Sequence, residues 1–367
     1  MTTFSFRFAA EVGGAEDAVT LPLVELKGLI LAPGPCVPAR LRARVSLGRM
    51  LLDDLLSRRL VVLTGKGGTG KSVVGTALAL AACARGKRVL LVEIDAPLEA
   101  SRYLGAGPVG GREAQIRPGL FAVNMDPAAV MDEYVRRMVR VDLLARRVLA
   151  SPVYRRFFAA APGLPELMVL GKIMVLEEQR ASRFSSRPRY DLIVVDAPAT
   201  GHGISFLKVP LAASQAVPVG PVGHNARRIL SMLRDGERTA LVLVAVPEEM
   251  AAVEAQELHR AAVDELGMEP AVLVLNQCHE RRFRREEEAE ILRLAAENAD
   301  GRLARGVGLR AALSAARRHL RRRKLTQFYQ TRLRRAIPLP LVSLPYLFDE
   351  DLGPSSIERL AQRLEAA

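Results

Sequence analysis

The chain has 367 residues, of which 49% are hydrophobic and 25% charged, with a formal net charge of +13. That length allows one large α/β domain with an insertion or two small domains, and no run approaches the ~18 uninterrupted apolar residues of a membrane span. Three widely spaced cysteines, Cys36, Cys83 and Cys278, argue against a disulfide scaffold and suit a reducing, cytoplasmic setting.

Residues 1–50 read differently from the rest of the chain. They lack the charged start and apolar block of a signal peptide, contain Gly13-Gly14 and Ala32-Pro33-Gly34-Pro35, and show no sustained period. They are either a genuine N-terminal extension or sequence upstream of a start at Met50. The organised region, 51–367, begins with LLDDLLSRRLVVLTGKGG.

From Leu60 onward short apolar runs alternate with helical stretches, which predicts an α/β fold with a doubly wound, mostly parallel sheet. Predicted strands are LVVLT (60–64), RVLLVEI (88–94), DLIVVD (191–196), QAVPVG (215–220), ALVLVAV (240–246), AVLVLN (271–276) and PLVSL (340–344). Between the first strand and a helix predicted over 72–84 lies Gly65-Lys66-Gly67-Gly68-Thr69-Gly70-Lys71-Ser72, which satisfies G-x-x-x-x-G-K-[ST]. In such a loop backbone N–H groups converge on one phosphate beside the positive end of a helix. Lys71 is expected at the β- and γ-phosphates of ATP and Ser72 on Mg²⁺. Asp95 and Asp196 each close a strand at the sheet edge where open α/β folds bind ligands, so a magnesium-supporting carboxylate is sought there.

A helical insert, 126–183, interrupts the alternation, and Met125, Met131, Met138, Met168 and Met174 lie in it or at its edge. Methionines suit either an adaptable apolar contact surface or ordinary core. A second long helix is predicted over 308–335. The segment Arg302–Arg335 holds 12 basic residues and no acidic ones, nearly the whole of the net charge. Its ordinary reading is a solvated helix face, so nucleic acid is not expected as a partner. The tail IERLAQRLEAA places Ile357, Leu360 and Leu364 on one stripe, a weak membrane anchor at best; any membrane association is expected to be peripheral.

With Lys66 in place the loop resembles the deviant Walker A loop of the MinD/ParA, nitrogenase-iron-protein and arsenical-pump class. DAPATGHGISFLKVP (196–210) is similar to the switch II of the ArsA and guided-entry (tail-anchored protein targeting) ATPases. AAPGLPELMVLGKI (160–173), VAVPEEMAAVEAQEL (244–258), LNQ (275–277) and LPYLFDEDLG (344–353) resemble that family's further stretches, in its order. The resemblance runs from about Leu51 to the C-terminus.

It implies a cytoplasmic, Mg²⁺-dependent P-loop ATPase that hydrolyses ATP as a dimer, either a homodimer or a heterodimer with a paralogue. Lys66 is then catalytic across the subunit interface, Asp95 orients the attacking water, Asp196 supports Mg²⁺ and Asn276 reads adenine. The insert 126–183 corresponds to the apolar groove for a hydrophobic helical client. Two alternatives stay open: a MinD/ParA-like positioning ATPase, and a weakly active subunit of a heterodimer. Switch I reads Asp95-Ala96-Pro97-Leu98-Glu99 where the family has Asp-Pro-Ala-His-Asn, and switch II permutes alanine and proline after Asp196, departures that bear on the hydrolysis rate. Leu352 stands where the family has arginine. Neither a zinc clasp at Cys278-His279, an arsenite-binding thiol site, nor an iron–sulfur cluster is expected.

Overall fold

The computed structural model describes residues 51–94, 99–139, 142–152, 163–182, 184–198, 204–299 and 307–366. The atypical N-terminal stretch, Asp95 and the rest of switch I to Leu98, residues 199–203 of switch II, and Cys36 lie outside the described residues.

Eight strands form one sheet in the order β3-β4-β2-β5-β1-β6-β7-β8. They are β1 Leu60–Thr64, β2 Val89–Ile94, β3 Ala114–Arg117, β4 Leu120–Met125, β5 Leu192–Asp196, β6 Thr239–Ala245, β7 Pro270–Cys278 and β8 Leu341–Pro345. All neighbours are parallel except β3, which runs antiparallel to β4.

Alternate residues of each central strand face opposite layers, as the two-residue period requires. Leu60, Val62, Ile193, Val195, Leu241 and Leu243 enter one core, whereas Val61, Leu63, Leu192, Val194, Ala240 and Val242 enter the other. Both faces are covered by helices, which is why these strands read as unbroken Val/Leu runs. Strand β1 sits between β5 and β6; from β1 the chain crosses to β2 on one side, and from β5 it later crosses back over β1 to β6 on the other. The C-terminal end of β1 is therefore a topological switch point.

Six of the seven predicted strands are present to within a residue or two. The seventh, 215–220, is not a strand. The helix Ser205–Ala216 continues to its edge, and Val217–Gly220 is an exposed connection to the helix Pro221–Arg234. Pro218 cannot donate to a ladder, and both sides of β1 and β6 are already paired. The hairpin β3–β4 is an element that the apolar runs do not predict; its turn is Pro118-Gly119, with Gly119 at φ 78°, the residue pair a tight turn favours.

Among the described residues of 126–183 the named helices are Pro127–Met138, Asp142–Ala150 and Leu164–Glu178. Met125, Met131 and Met174 are buried and Met168 packs against the same core. These four methionines therefore pack into the interior, while the side chain of Met138 lies outside the described residues. Among the described side chains of these helices the exposed large apolar ones are Leu143 and Val175. The tail stripe behaves likewise: Ile357, Leu360 and Leu364, on the helix Pro354–Ala366, are buried in the core shared with the helix Lys71–Ala84. That stripe is a packing face rather than an anchor, and no described helix is long and apolar enough to cross a membrane.

Candidate nucleotide site

The loop leaves the fully buried β1 at Gly65 and returns into the helix Lys71–Ala84 at Gly70. Both turns need glycine. Gly65 has φ 153°, and a Cβ there would sit 2.1 Å from the Val244 carbonyl oxygen of β6. Gly70 has φ 81°, and its Cβ would lie 2.4 Å from Asn276 Nδ2. Between them Thr69 closes the loop on itself, its hydroxyl donating to the Lys66 carbonyl at 2.8 Å. Gly67 and Gly68 stand exposed at the crest.

The two lysines have different surroundings. Lys71 is only 6% exposed, and its ammonium donates to the carbonyls of Gly65 at 3.0 Å and Lys66 at 3.3 Å. Burial pulls its pKa below the ordinary lysine value, while the negative charges of Asp196 and Glu254 oppose that fall. Lys66 is half-buried, and its ammonium makes no hydrogen bond or ion pair with the described residues.

Ser72, in the first turn of the helix, donates its hydroxyl to Asp196 Oδ2 at 2.5 Å. Asp196 ends β5 and is buried, and its in-register neighbour on β2 is Glu93, itself buried and accepting the Ala100 N–H at 2.9 Å. The pair Ser72–Asp196 supplies hard oxygen donors with the glycine cradle alongside. That chemistry fits Mg²⁺, which takes one or two protein oxygens and completes its shell with water and phosphate.

Asn276, near the end of β7, is buried and its Nδ2 donates to the Thr69 carbonyl at 2.9 Å, tying the loop to the sheet. Its amide oxygen and second N–H are the groups left for another partner. Next to it Gln277 has φ 57°. Beyond it a small hollow is lined by Val246, Pro247, Glu248, Gln277, His279, Arg322 and Tyr346, with His279 stacked on Tyr346 at 4.8 Å.

Lys66, Lys71, Ser72, Asp196 and Asn276 thus share one edge of the sheet. Glu254 escapes a motif-based reading, although the sequence carries a signal for it. It shares the helix face of Ala251, Ala255 and Leu258, all buried, so a carboxylate at that spacing must look inward. Cys83 packs against one core and Cys278 within the other, on opposite faces of the sheet, and burial pushes each thiol up to about 11. The two do not converge on a soft metal or arsenic. His279 meets His319, Nδ1 to Nδ1 at 3.4 Å, and does not pair with Cys278.

Residues 58–219 match the profile of the family described as anion-transporting ATPase, ArsA type. This segment is an ArsA-family ATPase domain. The chain is 33% identical over 215 residues to ATPase BagA of Mycobacterium tuberculosis, covering 57% of this chain and 61% of that one. It is 29% identical over 231 residues to an arsenical pump-driving ATPase of Escherichia coli, covering 58% of this chain and 38% of the pump. Against ATPase get3 of Schizosaccharomyces japonicus the identity is 27% over 172 residues, covering 45% and 49%. The chain spans about three fifths or less of the length of these relatives. The ArsA-type segment contains β1 to β5 with the loop and Asp196, while Asn276 and Glu254 lie beyond it.

Proposed function

We propose that the protein is a Mg²⁺-dependent ATPase whose site is completed by a second subunit and whose nucleotide state controls contact with a partner protein. The observation carrying this reading is the pairing of Ser72 with Asp196 directly below a glycine loop that buries Lys71. Lys71 would exchange its two loop carbonyls for phosphate oxygens, and the helix N-terminus would add its N–H groups. Mg²⁺, when bound, would neutralise charge on the transferred phosphoryl group. Ser72 and Asp196 would hold it with their side-chain oxygens. Lys66 of a second copy would then stabilise the developing charge.

The test is ATP turnover by the purified protein with and without Mg²⁺, wild type against Asp196→Asn. The variant keeps the shape of the side chain but loses the charge, and we expect turnover to fall roughly 10- to 100-fold. Nucleotide affinity in EDTA should stay near wild type. If Mg²⁺ makes no difference to either protein, the metal role of Ser72 and Asp196 is wrong.

Lys71 also makes nucleotide binding depend on pH. Bound phosphate favours its charged form, whereas burial in the free protein favours the neutral one. ATP binding should therefore take up a proton once the pH exceeds the lowered value, and affinity should weaken in the alkaline range sooner than an ordinary lysine would allow. Calorimetry in buffers of different ionisation enthalpy reads the proton uptake; none at any alkaline pH would contradict it.

The altered switch I, Ala96 to Glu99, favours a second reading in which this chain is the weakly active subunit of a heterodimer. No turnover alone, restored by a co-purifying paralogue, distinguishes it. The names of the arsenical pump relatives do not extend to this chain, whose two described cysteines face apart.

A further inference from the structure

The helix Val307–Ala336 contains no acidic residue over its 30 positions. At about 100° per residue, Arg310, Arg317, Arg321, Lys324, Arg332 and Arg335 fall within an arc of about 80°, along a rise of about 37 Å. All six are exposed, and none has an ion-pair partner among the described residues. Two arginines off the stripe behave differently: Arg322 pairs with Glu248 at 3.5 Å, and Arg323, on the opposite side of the helix, pairs with Glu288 at 2.5 Å. Arg318 and Arg334 are also exposed off the stripe with no ion pair among the described residues, so the six cations are set apart by their alignment along one exposed arc. Phe328 lies at the stripe's centre line, 57% exposed, and Leu325 at its margin, 41% exposed. Phe328 also borders a shallow hollow with Gln327, Thr331, Arg332 and Arg335.

We infer that this stripe is a docking face for an anionic phospholipid surface. A single straight line of cations over that length can meet a plane all at once. A nucleic-acid duplex curves away from such a line unless the helix enters a groove. Here the other side of the helix, with Thr326, Tyr329 and Leu333, is buried against the body. Exposed Phe328 and Leu325 supply what a lipid headgroup layer accommodates and a phosphodiester backbone does not require: short apolar wedges between charges. Arginine suits phosphate, which its fork can grip with two hydrogen bonds. The contact is peripheral, and it reaches the nucleotide site through Arg322 and His319 of the same helix, which border or contact the hollow beside Asn276.

The experiment is flotation of the full chain with vesicles of phosphatidylcholine alone and mixed with phosphatidylglycerol. Binding is expected only to the mixed vesicles and should decline as salt is raised. Each cation near the surface contributes about fivefold to partitioning, so Arg317→Gln, Arg321→Gln and Lys324→Gln together should weaken it roughly 100-fold. Arg321→Lys, which retains the charge, should bind nearly as wild type, and ATP binding by the triple variant at the wild-type level shows that its loss is not misfolding. Phe328→Ser should weaken binding with the cations intact. Equal binding to neutral vesicles, or binding that survives the triple substitution, overturns the inference. So does binding of single- or double-stranded DNA without binding of anionic vesicles.

Discussion

Lys66→Ala is expected to bind ATP about as well as wild type and to lose most of its turnover, roughly 10²- to 10³-fold. The reason lies in how the loop uses this residue. Thr69 and Lys71 both bond to Lys66, but only to its backbone carbonyl, which alanine retains. The side chain holds nothing together among the described residues of the single subunit. A lysine at that position, half-buried and unengaged, has its use elsewhere, and the nucleotide site of a second copy is our proposal. Mixing gives the sharper check. Lys66→Ala and Lys71→Ala should each be inactive alone, yet a mixed dimer restores one site, in which the first subunit's Lys71 and the second's Lys66 act together. Wild-type turnover by Lys66→Ala alone, or no recovery on mixing, removes the cross-subunit role.

The loop, its flanking strand and helix, and Asp196 are all legible in the sequence because each rests on short-range chemistry. Glycine spacing, an apolar run and a terminal carboxylate need no knowledge of the rest of the chain. Features that escape a sequence reading depend on which elements meet. Asn276 lies 207 positions from Thr69, yet its amide pins the loop from β7, two strands away from β1, a contact no local pattern announces. Met168 and Met174 have the composition of either a groove or a core, and only the packing of Leu164–Glu178 against the sheet decides for core. The error at 215–220 has the opposite origin. Val217 and Val219 look like a strand, but Pro218 and Gly220 spoil the ladder, and an exposed valine run is what remains. The basic segment reads as one solvated face, and in the structure six of its cations align on one exposed arc while Arg322 and Arg323 pair with acidic neighbours.

Gly65→Ala and Gly68→Ala should separate the two kinds of constraint in the loop. Both glycines have positive φ, at 153° and 81°, so alanine is strained at either. Around Gly68 nothing lies within 4 Å of the added methyl, and the expected cost is only the backbone strain, about 1–2 kcal/mol. At Gly65 the methyl would meet the Val244 carbonyl at 2.1 Å, and that carbonyl belongs to β6, paired on one side to β1 and on the other to β7. Neither strand can yield without breaking the central ladder, so overpacking adds about 1–3 kcal/mol or more to the backbone strain. Urea unfolding should show Gly68→Ala displaced slightly and Gly65→Ala displaced by several kcal/mol or not accumulating as folded protein. Equal stabilities would mean that the loop does not rest on β6. The burial of Lys71 depends on the same support, because the Gly65 carbonyl that holds its ammonium is fixed by that close approach. A loop loosened at Gly65 should therefore lose nucleotide affinity even in whatever fraction folds, while Gly68→Ala keeps it.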